Sequence, residues 1–377
     1  MFTLENRNNK VKILLVFGTR PEAIKMCPVV QELYRRKNIE TIVCVTGQHE
    51  EMLQQVLDIF KIHTEYNLAI MQSGQTLFDI TELVMEGLKE VLEKERPQMV
   101  LVHGDTTTAY AAALSCFYMR IPIAHVEAGL RTYDMYSPYP EEFNRQAIDL
   151  ITAIYFAPTE LARQNLLQEG KPLERIFVTG NTVIDALKTT VKKNFDHEYL
   201  HWVGRHRFIL MTVHRRENIG EPMRRIFQAV RKIAEDYEDV KILYPVHKNP
   251  KVRQIAERVF ENIDNVRLVE PLDVLDFHNF MNKSYLIITD SGGIQEEAPS
   301  LGKPVIVVRD TTERPEGVKA GTLKLVGTEE QEIYDVVRGL LDSPELYQEM
   351  VKISNPYGDG DASGKVADVL EQINLWR

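Results

Sequence analysis

The feature that most constrains this chain is an alternation carried out twice along its length. Short runs of β-branched and other apolar residues are each followed by a longer segment with helical spacing. That alternation specifies βαβ units. Their parallel strands are covered by helices on both faces and so read as continuous apolar runs. The first series places strands at 11–17, 41–45, 98–103, 121–125, 153–157 and 175–179, with amphipathic segments at 22–36, 50–60, 76–94 and 106–119. The second places strands at 207–213, 240–245, 265–269, 284–289, 304–308 and 323–326, separated by helical patterns at 221–236, 250–261, 293–301 and 329–342. The series break at 183–206, where a helical stretch leads into the patternless NFDHEYLHWVGRHR. The expected fold is α/β, with parallel sheets in two Rossmann-like domains facing across a cleft. The domains are residues 1–185 and 186–362, and a short amphipathic helix follows from 363. Open parallel sheets bind ligands beyond the carboxyl ends of their strands, so functional residues are sought there.

Bulk properties narrow the partners. A chain of 377 residues outgrows one small core, and 44% hydrophobic with 27% charged residues is the balance of a globular protein. A formal net charge of −10, with no block of Lys and Arg, argues against nucleic acid. Cys27, Cys44 and Cys116 lie among apolar neighbours without a C-x-x-C pair, as buried thiols of a reduced compartment would. The opening MFTLENRNNK is polar and the apolar run 11–17 is too short for a signal core or a membrane span, so a cytoplasmic protein with no membrane association is expected.

Charged and small residues cluster at the expected strand ends. After the first strand come Gly18, Thr19, Arg20, Pro21 and Glu22, with Lys25 a turn further on. A helix N-terminus with a guanidinium suits a phosphate, although a capped helix with a solvated Arg reads equally well. Asp105, in HGDTTT, is either a helix cap or an acid/base group. His125-Val126-Glu127-Ala128-Gly129-Leu130-Arg131 is dense for a loop that only turns. Glu141, in PYPEEFNR, sits where acids also favour a helix start. Three carboxylates at strand ends of one sheet (Asp105, Glu127, Glu141) would serve proton transfer on a sugar. In the second series His214 and His247 end successive strands, and a solvated charge run is the bland alternative for both. No His pair has metal-ligand spacing, so no metal is expected.

The Thr289-Asp290-Ser291-Gly292-Gly293 turn delivers an apolar strand into a helix. Its consecutive N–H groups can point at a diphosphate with no Cβ in the way. Glu297, one turn into that helix, could accept from ribose hydroxyls, and the RDTTERPE segment with Arg314 again offers guanidinium groups to a phosphate. No G-x-G-x-x-G follows a strand and no Walker A loop exists, so neither a nicotinamide cofactor nor P-loop ATP is supported.

Taken together, FGTRPEAIK, VHGDTTT, HVEAGLR, SPYPEEFNR, HRREN, TDSGGIQEEAPSLG and RDTTERPE resemble, in order and spacing, the bacterial non-hydrolysing UDP-N-acetylglucosamine 2-epimerases. The likeness spans essentially the whole chain. It implies a glycosyltransferase-B-like fold whose final helix packs back on the first domain, a homodimer, and no cofactor. It also implies inversion at C2 between UDP-GlcNAc and UDP-ManNAc, feeding envelope polysaccharides. UDP is eliminated to give 2-acetamidoglucal and then added back. By matching position Asp105, Glu127, Glu141 and His214 are the catalytic set, while Arg20, Ser291, Gly292, Gly293, Glu297 and Arg314 contact UDP, assisted by Lys25. The competing readings are a glycosyltransferase of the same architecture, a hydrolysing 2-epimerase, and a nucleotide-sugar binding module without turnover. The last would be expected to lack the three carboxylates.

Many bacterial relatives also hold a regulatory UDP-GlcNAc beside the catalytic site. Of the residues linked to it, Gln48, His49, Arg215 and His247 are present here, but Glu51 replaces a Gln and Gly74 an Arg. Losing a guanidinium and gaining a carboxylate weakens binding of a dianion. Activation by UDP-GlcNAc is therefore expected to be weak or absent. Progress curves with UDP-ManNAc alone should start without a lag, and a long lag abolished by traces of UDP-GlcNAc would refute this.

Overall fold

The structure is a computed structural model and describes residues 10–47, 50–72 and 74–372. Its contacts divide the chain into two compact units, Met1–Ala186 with Gly358–Arg377, and Leu187–Tyr357. Unit 1 contains strands β1 (Val11–Phe17), β2 (Ile39–Val45), β3 (Tyr66–Asn67), β4 (Met99–His103), β5 (Ile123–Val126), β6 (Ile154–Ala157) and β7 (Ile176–Val178). Among the described residues they form one sheet in the order β3-β2-β1-β4-β5-β6-β7, every pair parallel. Unit 2 contains β8 (Arg207–Thr212), β9 (Val240–Pro245), β10 (Val266–Val269), β11 (Leu286–Thr289), β12 (Val305–Val307) and β13 (Leu323–Leu325). They run β10-β9-β8-β11-β12-β13, again all parallel.

Both sheets have the Rossmann order, so each has one switch point where connections leave to opposite sides, between β1 and β4 and between β8 and β11. The apolar runs fold this way because both faces of each central strand are covered. Ile13 through Phe17 and Leu286 through Ile288 have no exposed surface. Thr19 and Glu22 form a reciprocal capping box that opens helix Arg20–Arg35, with Pro21 in its first turn. All three cysteines are free and buried. Among the described residues no helix is long and apolar enough to cross a membrane.

Several features depart from the sequence expectation, among them helices Val274–Lys283 and Pro344–Val351, which no expected segment covers. The two-residue strand β3 carries no apolar run to announce it. In the patternless joint, helix Glu198–Val203 forms. His197 accepts from the Tyr199 N–H, and the rings of Phe195, His197 and Tyr199 pack on Phe280. The helix expected over 293–301 breaks into Gly292–Glu297 and a tighter turn, Ala298–Leu301. The cause is Pro299, which has no N–H to continue the α-helical ladder.

Helix Ala362–Glu371 belongs to unit 1 although it follows all of unit 2 in sequence. Arg36 reaches Glu371 at 2.8 Å and Asp368 at 2.7 Å, and the Asp185 carboxylate accepts from the N–H groups of Ala362 and Ser363. Close approach is also built in at Gly129, which has φ 85° and where a Cβ would lie 2.3 Å from the Ala162 carbonyl oxygen. Gly129→Ala should therefore cost more than about 2 kcal/mol, because backbone on both sides has to move. Urea unfolding of the two proteins measures it, and a loss under about 0.5 kcal/mol would contradict the packing described.

Candidate active site

In unit 1 the switch point is braced by one carboxylate. Glu22, with almost no exposed surface, accepts from the Gly18 and Thr19 N–H groups at 3.0 and 2.8 Å. Its second oxygen accepts from the Thr106 hydroxyl at 2.7 Å, tying the turn after β1 to the turn after β4. Burial raises its pKa against the pull of those donors. Beyond that brace stand two of the expected acids. Asp105 accepts a forked contact from Arg145, and the Asn144 amide donates to its carbonyl at 2.8 Å. Glu127 is paired with Lys25, and Asn181 donates to the same oxygen at 2.7 Å. Gly104 separates the pair, and a Cβ there would lie 3.6 Å from the other Glu127 oxygen. Glu127 itself holds φ 67°, a left-handed conformation that costs a non-glycine residue of order 1 kcal/mol or more.

Under Glu127 lies His103, 4% exposed, with Nε2 3.8 Å from the carboxylate and no hydrogen-bond partner. Burial is the main cause that brings its pKa down to about 3, so the ring is neutral. Glu141 opens helix Glu141–Ile151, and its buried Oε2 has no donor. Its neighbour Glu142 is the structural acid, fully buried and accepting from the N–H groups of Thr132 and Tyr133 and from Arg145 and Gln146. Helix 141–151 thus presents Glu141 at its start while Arg145 holds Asp105 one turn on.

In unit 2 Asp290 does what Glu22 does in unit 1. One oxygen of this fully buried residue accepts from the N–H groups of His214 and Arg215 and from the Asn218 amide, at 2.8–3.0 Å. The turn after β8 is thereby fixed to the end of β11. His214 is exposed and stacks on His247, with ring centroids 5.3 Å apart. A Cβ on Gly292 would lie 3.6 Å from an Arg215 nitrogen and 3.9 Å from the Arg314 guanidinium. Two cations therefore flank the bare backbone of the Ser291-Gly292-Gly293 turn. Glu296 holds the Arg314 guanidinium in place. Glu297 is flanked by His278, whose Nε2 is 3.4 Å from the carboxylate and whose Nδ1 bonds the Thr190 hydroxyl at 2.7 Å.

The expected residues therefore gather at two places. Lys25, Asp105 and Glu127 meet in unit 1, where Arg20 begins the helix after β1 and Glu141 begins the helix that holds Asp105. His214, Arg215, His247, Gly292 and Arg314 meet in unit 2. Lys25, expected to assist with UDP, is engaged with Glu127. Arg309, offered by the RDTTERPE segment as a phosphate ligand, is 3% exposed and forked onto Glu313 while also holding Glu217. Although burial raises the pKa of Glu313, that fork brings it down to about 2, so Arg309 clamps the loop. Gln48 and His49 lie outside the described residues. Arg145, Asn181, Asp290 and His278 escaped sequence reasoning, although Asn181 follows β7 and obeys the strand-end rule.

Two Rossmann-ordered sheets, with acids at one switch point and guanidinium groups at the other, define an α/β enzyme of the glycosyltransferase-B-like class. The sequence profile described as UDP-N-acetylglucosamine 2-epimerase matches residues 31–371. A UDP-N-acetylglucosamine 2-epimerase of Bacillus subtilis is 55% identical over 361 residues, covering 96% of this chain and 95% of that protein. A crystal structure of a UDP-N-acetylglucosamine 2-epimerase superposes with TM-score 0.91 at 52% identity, covering 98% of this chain and 97% of its own. The Neisseria meningitidis enzyme, solved bound to UDP-GlcNAc, gives TM-score 0.86 at 48% identity, covering 96% and 99%. This chain belongs to the UDP-N-acetylglucosamine 2-epimerase family.

The buried neutral His103 has a measurable consequence. Its folded pKa of about 3 lies below the ordinary value near 6.5, so between those values the unfolded chain takes up a proton that the folded chain refuses. Stability from this group is full above pH 6.5 and is lost as pH falls toward 3. The melting temperature of His103→Gln should therefore rise relative to the parent as pH goes from 7 to 4. Parallel calorimetric acid titrations would disprove this by holding a constant offset.

Proposed function

We propose that this chain interconverts UDP-GlcNAc and UDP-ManNAc by inverting C2, through elimination of UDP and its re-addition. The C2 proton of an N-acetyl sugar is not acidic, so removing it to a free carbanion is out of reach at neutral pH. Elimination avoids the carbanion. A carboxylate takes the C2 proton, the C–H electrons form the C1–C2 double bond, and UDP leaves C1 with its bonding pair. Re-addition of UDP to the 2-acetamidoglucal, with protonation of C2 from the other face, completes the inversion. No cofactor enters.

The observation that carries this reading is the pair of carboxylates around Gly104, each held by a cation: Asp105 by Arg145 and Glu127 by Lys25. Such pairing fixes where each carboxylate stands, as a group that is to take a proton from a substrate requires. Glu141, with a buried oxygen that has no donor, is the third acid of the set. Unit 2 supplies the complementary charge. We assign UDP to Ser291, Gly292 and Gly293 with Arg314, Glu297 to the ribose, and Arg20, on the family resemblance, to the phosphates. Arg215, beside Gly292, joins Arg314. His214 is placed to offset the charge gathering on departing UDP. The homodimer rests on the family resemblance and is supported by exposed apolar residues of unit 1, Phe78 at 87% and Leu150 at 75%.

Incubation with UDP-GlcNAc in deuterated water tests the reaction. UDP-ManNAc carrying deuterium at C2 is expected. Free ManNAc would replace the reading with hydrolysis, and no exchange at all would end both. Asp105→Asn and Glu127→Gln should each lower kcat by at least about 100-fold, measured by the same exchange.

A further inference from the structure

Behind the turn that carries Asp105, four side chains form a hydrogen-bonded line that has no part in the proposed proton transfers. Glu169 receives two hydrogen bonds from Arg131, at 2.7 and 2.8 Å. Arg131 donates to Asp149 at 2.7 Å, and the Gly129 N–H adds a second donor to the same oxygen at 3.2 Å. The other Asp149 oxygen lies 2.7 Å from His125 Nδ1, and His125 Nε2 lies 2.7 Å from the Gly104 carbonyl oxygen. The side chains of Arg131, Asp149 and His125 have no exposed surface.

The protons in this line are fixed by its ends. A carbonyl oxygen only accepts, so Nε2 must carry a hydrogen and donate it to Gly104. Asp149 already accepts from Arg131 and Gly129. Burial pushes its pKa up, yet His125 and Arg131 outweigh burial and hold it below the ordinary carboxylate range. Glu169, Arg131 and Asp149 alternate in sign along the line, and the His125 ring joins Asp149 to the Gly104 carbonyl. Removing any inner member would strand a buried charge.

Gly104 is no ordinary anchor. It holds φ 63°, its N–H is bonded to the Val126 carbonyl, and it sits between Asp105 and Glu127. Helix 141–151 grips the same turn from the other side through Asn144 and Arg145, five and four residues before Asp149.

We propose that His125 is a positioning residue for the reaction, holding the Gly104 carbonyl so that Asp105 and Glu127 keep their relative placement. It touches no substrate. The inference rests on the epimerase reading, so the parent chain is first required to form UDP-ManNAc, and a parent without that product sinks the reading itself. His125→Phe keeps the ring volume and removes the donor, His125→Asn is too short to bridge, and His125→Gln offers an amide N–H to the same carbonyl. For the Phe and Asn variants kcat should fall by about 10- to 100-fold, with UDP affinity by calorimetry within about twofold of the parent. That split is expected because the assigned UDP contacts, Ser291, Gly292, Gly293, Glu297 and Arg314 in unit 2 and Arg20 in unit 1, all lie outside the line, and uniform loosening would not produce it. The Gln variant should regain at least about fivefold over Phe, or over Asn if Phe does not fold. A folded Phe or Asn variant within threefold of the parent kcat, UDP affinity falling in step with kcat, or Gln no better than its comparator would each overturn the proposal.

Discussion

Where two parallel strands send their connections to opposite sides, backbone N–H groups at the strand ends are left without ladder partners. Each unit answers with one buried carboxylate, Glu22 against the turns after β1 and β4, and Asp290 against the turns after β8 and β11. An unpaired buried N–H costs about 1–3 kcal/mol, so a single acid collecting two or three donors is a large local stabiliser. It also sets the shape on which everything else stands. Asp105 lies in the turn after β4 that Glu22 braces, and His214 and Arg215 are the very residues whose N–H groups Asp290 holds.

The electrostatics around the acids of unit 1 follow from their burial. Arg145 pairs with the half-buried Asp105 and Lys25 with the more deeply buried Glu127. His103, equally buried beside Glu127, meets the cost of burial by giving up its proton. The turn between β4 and its helix is thus surrounded by paired charges and one neutral ring.

Most of the fold could be read directly, because strands buried on both faces leave no choice of residue. β1 and β9 have the boundaries their apolar runs suggest. β3 could not be read, since two residues, Tyr66 and Asn67, carry no pattern. Helix Glu198–Val203 stayed hidden because its stability comes from aromatic rings packed on Phe280, 80 or so positions on. The site divides in the same way. Asp105, Glu127 and His214 follow strands and so announce themselves, and the T-x-x-E of Thr19 and Glu22 is a visible cap. Their partners Arg145 and Asn181 act across 40 and 54 residues, a distance at which local spacing says nothing. Arg309 and Arg314 look alike in sequence. Only the fold tells that the first is locked to acids beneath the surface while the second reaches the glycine turn.

Helix Ala362–Glu371 bears on how the chain is made. Unit 2 is one continuous stretch, whereas unit 1 is closed by a segment translated after all of unit 2. During synthesis the first sheet emerges early, but Arg36 and Asp185 wait for Asp368, Glu371 and the backbone of Ala362 and Ser363. Domains generally assemble as they leave the ribosome, so the later unit is the first able to reach its full set of contacts. The nascent first unit, acids already in place, is sealed last.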